Sequence, residues 1–166
     1  SSQAGSVSFG EAHDRVMTLL RTQYPQSEME LLSCELDPEL RDLTVAVPPV
    51  DLIHILDNIY RNSVENMIAA RIHDRKLRVE PISLDTAAAR IAIADTGTGL
   101  SYERFERLTS INAPFPDQSS NGAREGLGLR LTRRLVEMHR GGLDLESGDA
   151  GAAPGKRFVL SLPRFG

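Results

Sequence analysis

Apolar residues recur along this chain with two periods, and the switches between them outline its elements. Over residues 11–23, Val16, Leu19 and Leu20 stand at helical spacing, and the segment stops before Pro25, where the residue ahead of a proline leaves the helical region. Val7-Ser8-Phe9 ahead of it reads as a short strand. Residues 29–36 and 43–47 are β-leaning apolar runs on either side of the turn Asp37-Pro38-Glu39. Pro48-Pro49 ends the second run and leads into a long helix over about 51–72, with Leu52, Ile55, Leu56, Ile59 and Ser63 on its core face. Residues 76–84 and 89–95 alternate and, joined at Asp85-Thr86-Ala87, predict an antiparallel hairpin.

The remainder is less even. Residues 101–125 hold only a short helical turn over 102–108 and then a long polar stretch, a length that usually marks a functional loop. Gly126-Leu127-Gly128-Leu129 opens a helix to about His139, whose buried face is Leu131, Leu135 and Met138, and Gly141-Gly142 ends it. Residues 143–146 and 157–162 are strands with a loose turn over 148–155 between them. Helices and strands thus mix with several antiparallel pairings. The expected fold is α+β: a two-layer sandwich of one mixed, mostly antiparallel sheet with helices on one face. Residues 7–164 form one domain, and the small polar residues 1–6 are a linker or cloning remnant.

Charge and composition narrow the partners. A net charge of −4 over 166 residues gives no basic field for nucleic acid. No apolar run approaches the ~20 residues of a bilayer span and no signal peptide is visible, so a cytoplasmic domain without membrane contact is expected. The single cysteine, Cys34, lies in an apolar run and reads as a small core residue.

Three sites carry candidate chemistry. On the long helix, His54, Asn58, Arg61, Asn62 and Glu65 form a polar stripe, with two asparagines one turn apart although asparagine is a poor helix former. The run Ile93-Ala94 ends at Asp95, and Gly97 and Gly99 follow, so a carboxylate stands at a strand end before a turn open to close approach. Gly126 and Gly128 stand at a helix start, where free N–H groups and the dipole suit phosphate. An asparagine oxygen is a hard neutral ligand for Mg²⁺, and a carboxylate in a shaped pocket accepts from an exocyclic amine. Together these describe a site for Mg²⁺ and a purine nucleotide. The glycine pair is not a P-loop, because no Gly-Lys-Ser/Thr follows.

These residues carry a resemblance. Ile55-Leu56-Asp57-Asn58-Ile59-Tyr60-Arg61-Asn62-Ser63 resembles the N box of the GHKL ATPase superfamily, Asp95-Thr96-Gly97-Thr98-Gly99 its G1 box and Gly126-Leu127-Gly128-Leu129 its G2 box, in the right order. Within it the chain is most similar to the ATP-binding catalytic domain of bacterial sensor histidine kinases, through Leu135-Val136-Glu137-Met138-His139-Arg140-Gly141-Gly142 and the ending 155–163 as well. The resemblance implies a Bergerat fold and a set of roles. Asp95 would take the adenine amino group, with Gly97 and Gly99 shaping the turn beneath the base. Asn62 would coordinate Mg²⁺ with Asn58 nearby. Gly126-Leu127-Gly128 would line the phosphates, and 101–125 would be the ATP lid. The chain departs from the pattern at Glu65, where many such kinases are basic, and Arg61 and Arg124 are the candidates to supply that charge. Phe105 and Phe115 are remnants of a phenylalanine box.

Hydrolysing members of the superfamily carry a glutamate general base at the position of Asn58, and an amide cannot take that proton at neutral pH. The resemblance therefore implies transfer of the γ-phosphoryl group to a histidine, with Asn58 as the candidate catalytic residue. His13 reads as a solvated helix histidine, and His54, His73 and His139 have no better context as acceptors. The acceptor would lie on an upstream dimerisation and phosphotransfer domain, with a response regulator as the onward partner and the isolated domain monomeric. Two alternatives are an anti-sigma-type serine kinase of the same fold and a nucleotide-binding or docking module without kinase activity.

Overall fold

Ser8 caps a helix and extends no strand: its hydroxyl accepts from the Glu11 N–H at 3.1 Å and starts α1, Phe9–Gln23. The computed structural model describes residues 6–110, 121–146 and 155–165, with the backbone alone over 121–127. After α1 come the short α2 (Gln26–Met29), β1 (Leu32–Leu36), a 3-10 turn (Pro38–Leu40), α3 (Pro49–Ala69), β2 (Arg75–Leu84), β3 (Ala88–Asp95), α4 (Tyr102–Thr109), α5 (Asn121–Met138), β4 (Gly142–Leu145) and β5 (Arg157–Pro163).

The sheet order is β1-β2-β3-β5-β4, with β1 and β2 parallel and every other pair antiparallel. Leu77, Val79, Ile91, Ile93, Phe158, Leu160 and Leu162 point from the sheet into one core with α1, α3 and α5. The other face is wet and carries ion pairs such as Arg78–Glu35 at 3.3 Å and Arg157–Glu80 at 3.6 Å. The predicted α+β sandwich with helices on one face is therefore the observed one.

Several local expectations need correction. The run 29–36 is split, because Pro25 starts α2 and only Leu32–Leu36 pairs in the sheet. Residues 43–47 form no strand, yet Leu43, Val45 and Val47 are buried. Their alternation reports burial of a loop, tied down by Phe9 N–H to Leu43 O and Ala46 N–H to Pro163 O, each 2.7 Å. Among the described residues of α5, Leu129, Arg130, Thr132 and Val136 are buried, while Leu131 is 55% exposed and Met138 76% exposed. Arg140, not a glycine, takes the left-handed position after that helix (φ 64°), as Arg71 does after α3 (φ 54°). Gly141 is required for a different reason: a Cβ there would lie 2.2 Å from Ser161 O.

Candidate functional site

Asp95 is the last core-facing rung of the sheet. It lies opposite Leu77 on β2, in phase with Ile91 and Ile93, and its N–H donates to Lys156 O at 3.0 Å. Its Oδ1 accepts from the Gly97 N–H at 2.9 Å, which bends the chain into the turn. Its Oδ2 lies 3.0 Å from Lys156 Nζ, and both side chains are only 1% exposed. This contact is an ion pair off the alignment of a hydrogen bond. The ammonium also stands 5.9 Å from the centre of the Phe158 ring. A charge buried this deeply persists only because it is paired.

The turn is pinned from three sides. Asn66 on α3 accepts from the Thr98 N–H at 2.8 Å and from its hydroxyl at 2.9 Å. Thr96 donates to Asp74 O at 2.8 Å and accepts from the Lys76 N–H at 3.0 Å, which fixes the turn to the start of β2. A Cβ on Gly97 would lie 2.3 Å from Asn66 Oδ1, so this glycine lets the turn press against α3. Gly155 has φ +94°, and a Cβ on it would lie 1.8 Å from Asp95 O, so β5 starts in direct contact with the same turn.

On α3, Asn58, Asn62 and Asn66 follow one another at i, i+4 and i+8. Asn62 Oδ1 is buried and has no hydrogen-bond partner among the described residues. Arg61 is bound to Asp57 on its own helix at 2.8 Å, so its charge is already committed. Glu65 accepts from Tyr24 Oη at 2.7 Å, a bond between α3 and the end of α1. Burial and the Glu65 carboxylate push the Tyr24 phenol well above its usual range.

The glycine pair is placed differently from expectation. Helix α5 begins at Asn121, so Gly126 and Gly128 lie within it and not at its start. Inside a helix each N–H is bonded four residues back and is not offered to a phosphate. The two glycines disfavour that helix intrinsically, but packing of Leu129 and Val136 in the core outweighs the penalty. A Cβ on Gly128 would meet nothing within 4 Å. The side chains of Arg124 and Leu127, and all of Phe115, lie outside the described residues. Phe105 is fully buried, 6.0 Å from Phe158 between ring centres. Arg133 of α5 donates to Thr109 Oγ1 at 2.7 Å and lies over the Phe105 ring at 5.3 Å, joining α4 to α5.

A family model described as histidine kinase-, DNA gyrase B- and HSP90-like ATPase matches residues 48–165. The chain belongs to this ATPase family. Its curated relatives are sensor kinases. The signal transduction histidine-protein kinase AtoS of Escherichia coli is 29% identical over 98% of this chain and 24% of its own length. The autoinducer 2 sensor kinase/phosphatase LuxQ of Vibrio vulnificus is 29% identical over 91% of this chain and 18% of its own length. The chain thus spans under a quarter of the length of these two. Among solved structures, the catalytic domain of the histidine kinase ThkA, nucleotide-free, matches with a TM-score of 0.72 at 19% identity over 96% of each chain. The mycobacterial sensor histidine kinase MprB matches at 0.67 and 21% identity, over 95% of this chain and 97% of the other. These likenesses support the fold.

The chain is thus an ATPase domain of the kind found in sensor histidine kinases. The structure brings the Asp95 turn against α3 through Asn66. It holds the G2-box glycines inside a helix. Sequence reasoning missed Asn66 and Lys156, although signals for both were present. Asn66 continues the four-residue asparagine series, and Lys156 is in phase with Phe158, Leu160 and Leu162 on a core-facing row. Reasoning from sequence also placed His13 in solvent. It is 5% exposed, on the same stripe as Phe9, Val16 and Leu20, with Nδ1 2.6 Å from Tyr60 Oη. Burial lowers its pKa. Cys34 lies against the core as expected, and burial pushes its thiol up to about 12. Among the described residues no group of three or more His, Cys, Asp or Glu side chains is placed to hold a metal, and no helix is long and apolar enough to cross a membrane.

Proposed function

We propose that this domain binds Mg-ATP and transfers the γ-phosphoryl group to a histidine on a separate dimerisation and phosphotransfer domain, within a two-component pathway that continues to a response regulator. The observation that carries this reading is the contact of the Asp95 turn with α3, through Gly97 and Asn66, together with the buried, unpartnered Oδ1 of Asn62, four residues before Asn66 on that helix. Asp95 accepts from the exocyclic amine of adenine, and Gly97 and Gly99 let the turn beneath the base pack closely on Asn66 and Gly155. A buried carbonyl oxygen left without a donor suits a hard cation, so Asn62, with Asn58 one turn earlier, would hold Mg²⁺. When bound, that ion would neutralise charge on the phosphates. For the Gly126 and Gly128 N–H groups to reach the phosphates, the first turns of α5 must unwind, with Arg124 and Leu127 carried along.

Asn58 cannot take a proton from water at neutral pH, which disfavours hydrolysis. A neutral imidazole needs no such help, because its unprotonated nitrogen already carries the attacking lone pair. The P–N bond forms as the bond between the γ-phosphorus and the bridging oxygen of ADP breaks. Two of the histidines are already engaged: His13 is buried, and His139 Nε2 lies 2.7 Å from Asp51 Oδ2. The test is incubation with ATP labelled in its γ-phosphate together with the cognate dimerisation domain. Acid-labile, alkali-stable label is expected on that domain. Label on a serine would favour the serine-kinase alternative, and release of free phosphate without an acceptor would overturn the transfer reading.

A further inference from the structure

We propose that Lys156 is a built-in competitor for the base-reading carboxylate, so that its ammonium occupies the position on Asp95 Oδ2 that an incoming exocyclic amine must take. The inference rests on the nucleotide reading of Asp95 given above and sets the specificity and affinity of that site. Lys156 Nζ lies 3.0 Å from Asp95 Oδ2 while the other carboxylate oxygen is engaged by the Gly97 N–H, so both oxygens already have a partner. Both side chains are 1% exposed, which leaves the carboxylate closed to solvent and to a base while the pair stands.

The backbone builds this arrangement in. Residues 95 and 156 face each other across β3 and β5, with the Asp95 N–H bonded to Lys156 O at 3.0 Å. Gly155 packs so closely on Asp95 and Thr96 that no side chain would fit between them, and the backbone hydrogen bond holds the two strands together. Release of Asp95 therefore requires rotation of the lysine side chain. The face of the Phe158 ring also lies near the ammonium, at 5.9 Å, but it is a weaker partner than a carboxylate. Separating a buried ion pair is costly, and that cost is subtracted from the affinity of any base that docks on Asp95. The pair equally explains how a carboxylate survives at the end of an apolar row before any ligand arrives.

The test is calorimetric titration of the whole chain with ADP, for wild type, Lys156→Gln, Lys156→Thr and Lys156→Arg, alongside thermal unfolding without nucleotide. Lys156→Gln and Lys156→Thr keep a neutral donor near Asp95 and remove the charge. They are expected to bind ADP about tenfold tighter or more, while their unfolding midpoints without nucleotide fall. Lys156→Arg keeps a cation on the carboxylate and is expected to show no such gain. This opposite movement of affinity and stability is the signature of an internal competitor. Folded neutral variants that bind ADP with unchanged affinity would overturn the inference and leave the nucleotide site standing. Weaker binding would also overturn it, by showing that the ammonium donates to the base. Absence of ADP binding at millimolar concentration in wild type and in every variant would overturn the nucleotide reading itself and this inference with it.

Discussion

The two ends of the candidate nucleotide site are built in opposite ways. At the base end, the Asp95–Gly99 turn is held by Gly97 on Asp95, by Asn66 on Thr98, by Thr96 on β2 and by Gly155 beneath it. It belongs to the core of the sheet and cannot move without breaking several of these contacts. At the phosphate end, Gly126 and Gly128 sit inside a regular helix whose geometry conceals the N–H groups they would use. The base end is prebuilt and already filled by a lysine. On the proposed reading, the phosphate end must change shape before it can act. A site divided in this way can recognise a base first and close on phosphates afterwards.

The contrast can be attacked from either end. Asp95→Asn should have the largest effect, because it leaves the Lys156 ammonium buried without a counter-charge. A loss of about 3 kcal/mol in urea unfolding is expected, together with loss of ADP binding. Asn66→Ala should cost about 1–2 kcal/mol by removing both bonds to Thr98, and should weaken ADP without regard to Mg²⁺. Gly128→Ala should act the other way. With open space around its Cβ, the alanine should stabilise the free domain by about 1 kcal/mol while weakening ATP binding, because it favours the closed helix. Unfolding curves and titrations on one preparation would show whether the two move in opposite directions.

The smallest effect lies away from the site. His13 is buried against Tyr60, and burial lowers its pKa; Asp14 opposes this shift, while Arg41 and Arg21 reinforce it. The unfolded chain therefore takes up a proton at a higher pH than the folded one. Stability from this group is complete above about pH 6.5 and is lost as pH falls below that value. The unfolding midpoint should drop over that window, and His13→Gln should flatten the slope.

Much of the fold could be read from apolar spacing. The β2–β3 hairpin, the core face of α3 and the alternation of β5 all stand as the pattern implies. The pattern failed where burial and pairing part company. Residues 43–47 are buried as a loop, and His13 is a polar residue on an apolar stripe. It failed again at α5, because glycines that read locally as a helix start are absorbed by core contacts made further along. The Asp95 turn was legible because a lone carboxylate with two glycines is locally distinctive. Its ion pair was not, because Lys156 lies 61 positions away and only strand register brings the two together.

The most direct measurement is calorimetry with ADP and a non-hydrolysable ATP analogue, with and without Mg²⁺, on wild type and Asn62→Ala. The account predicts that wild type binds both nucleotides, with Mg²⁺ strengthening the triphosphate. Asn62→Ala should lose mainly that Mg²⁺-dependent gain. Equal losses with and without Mg²⁺ would contradict the metal role of Asn62, and no binding of either nucleotide at millimolar concentration would contradict the account as a whole.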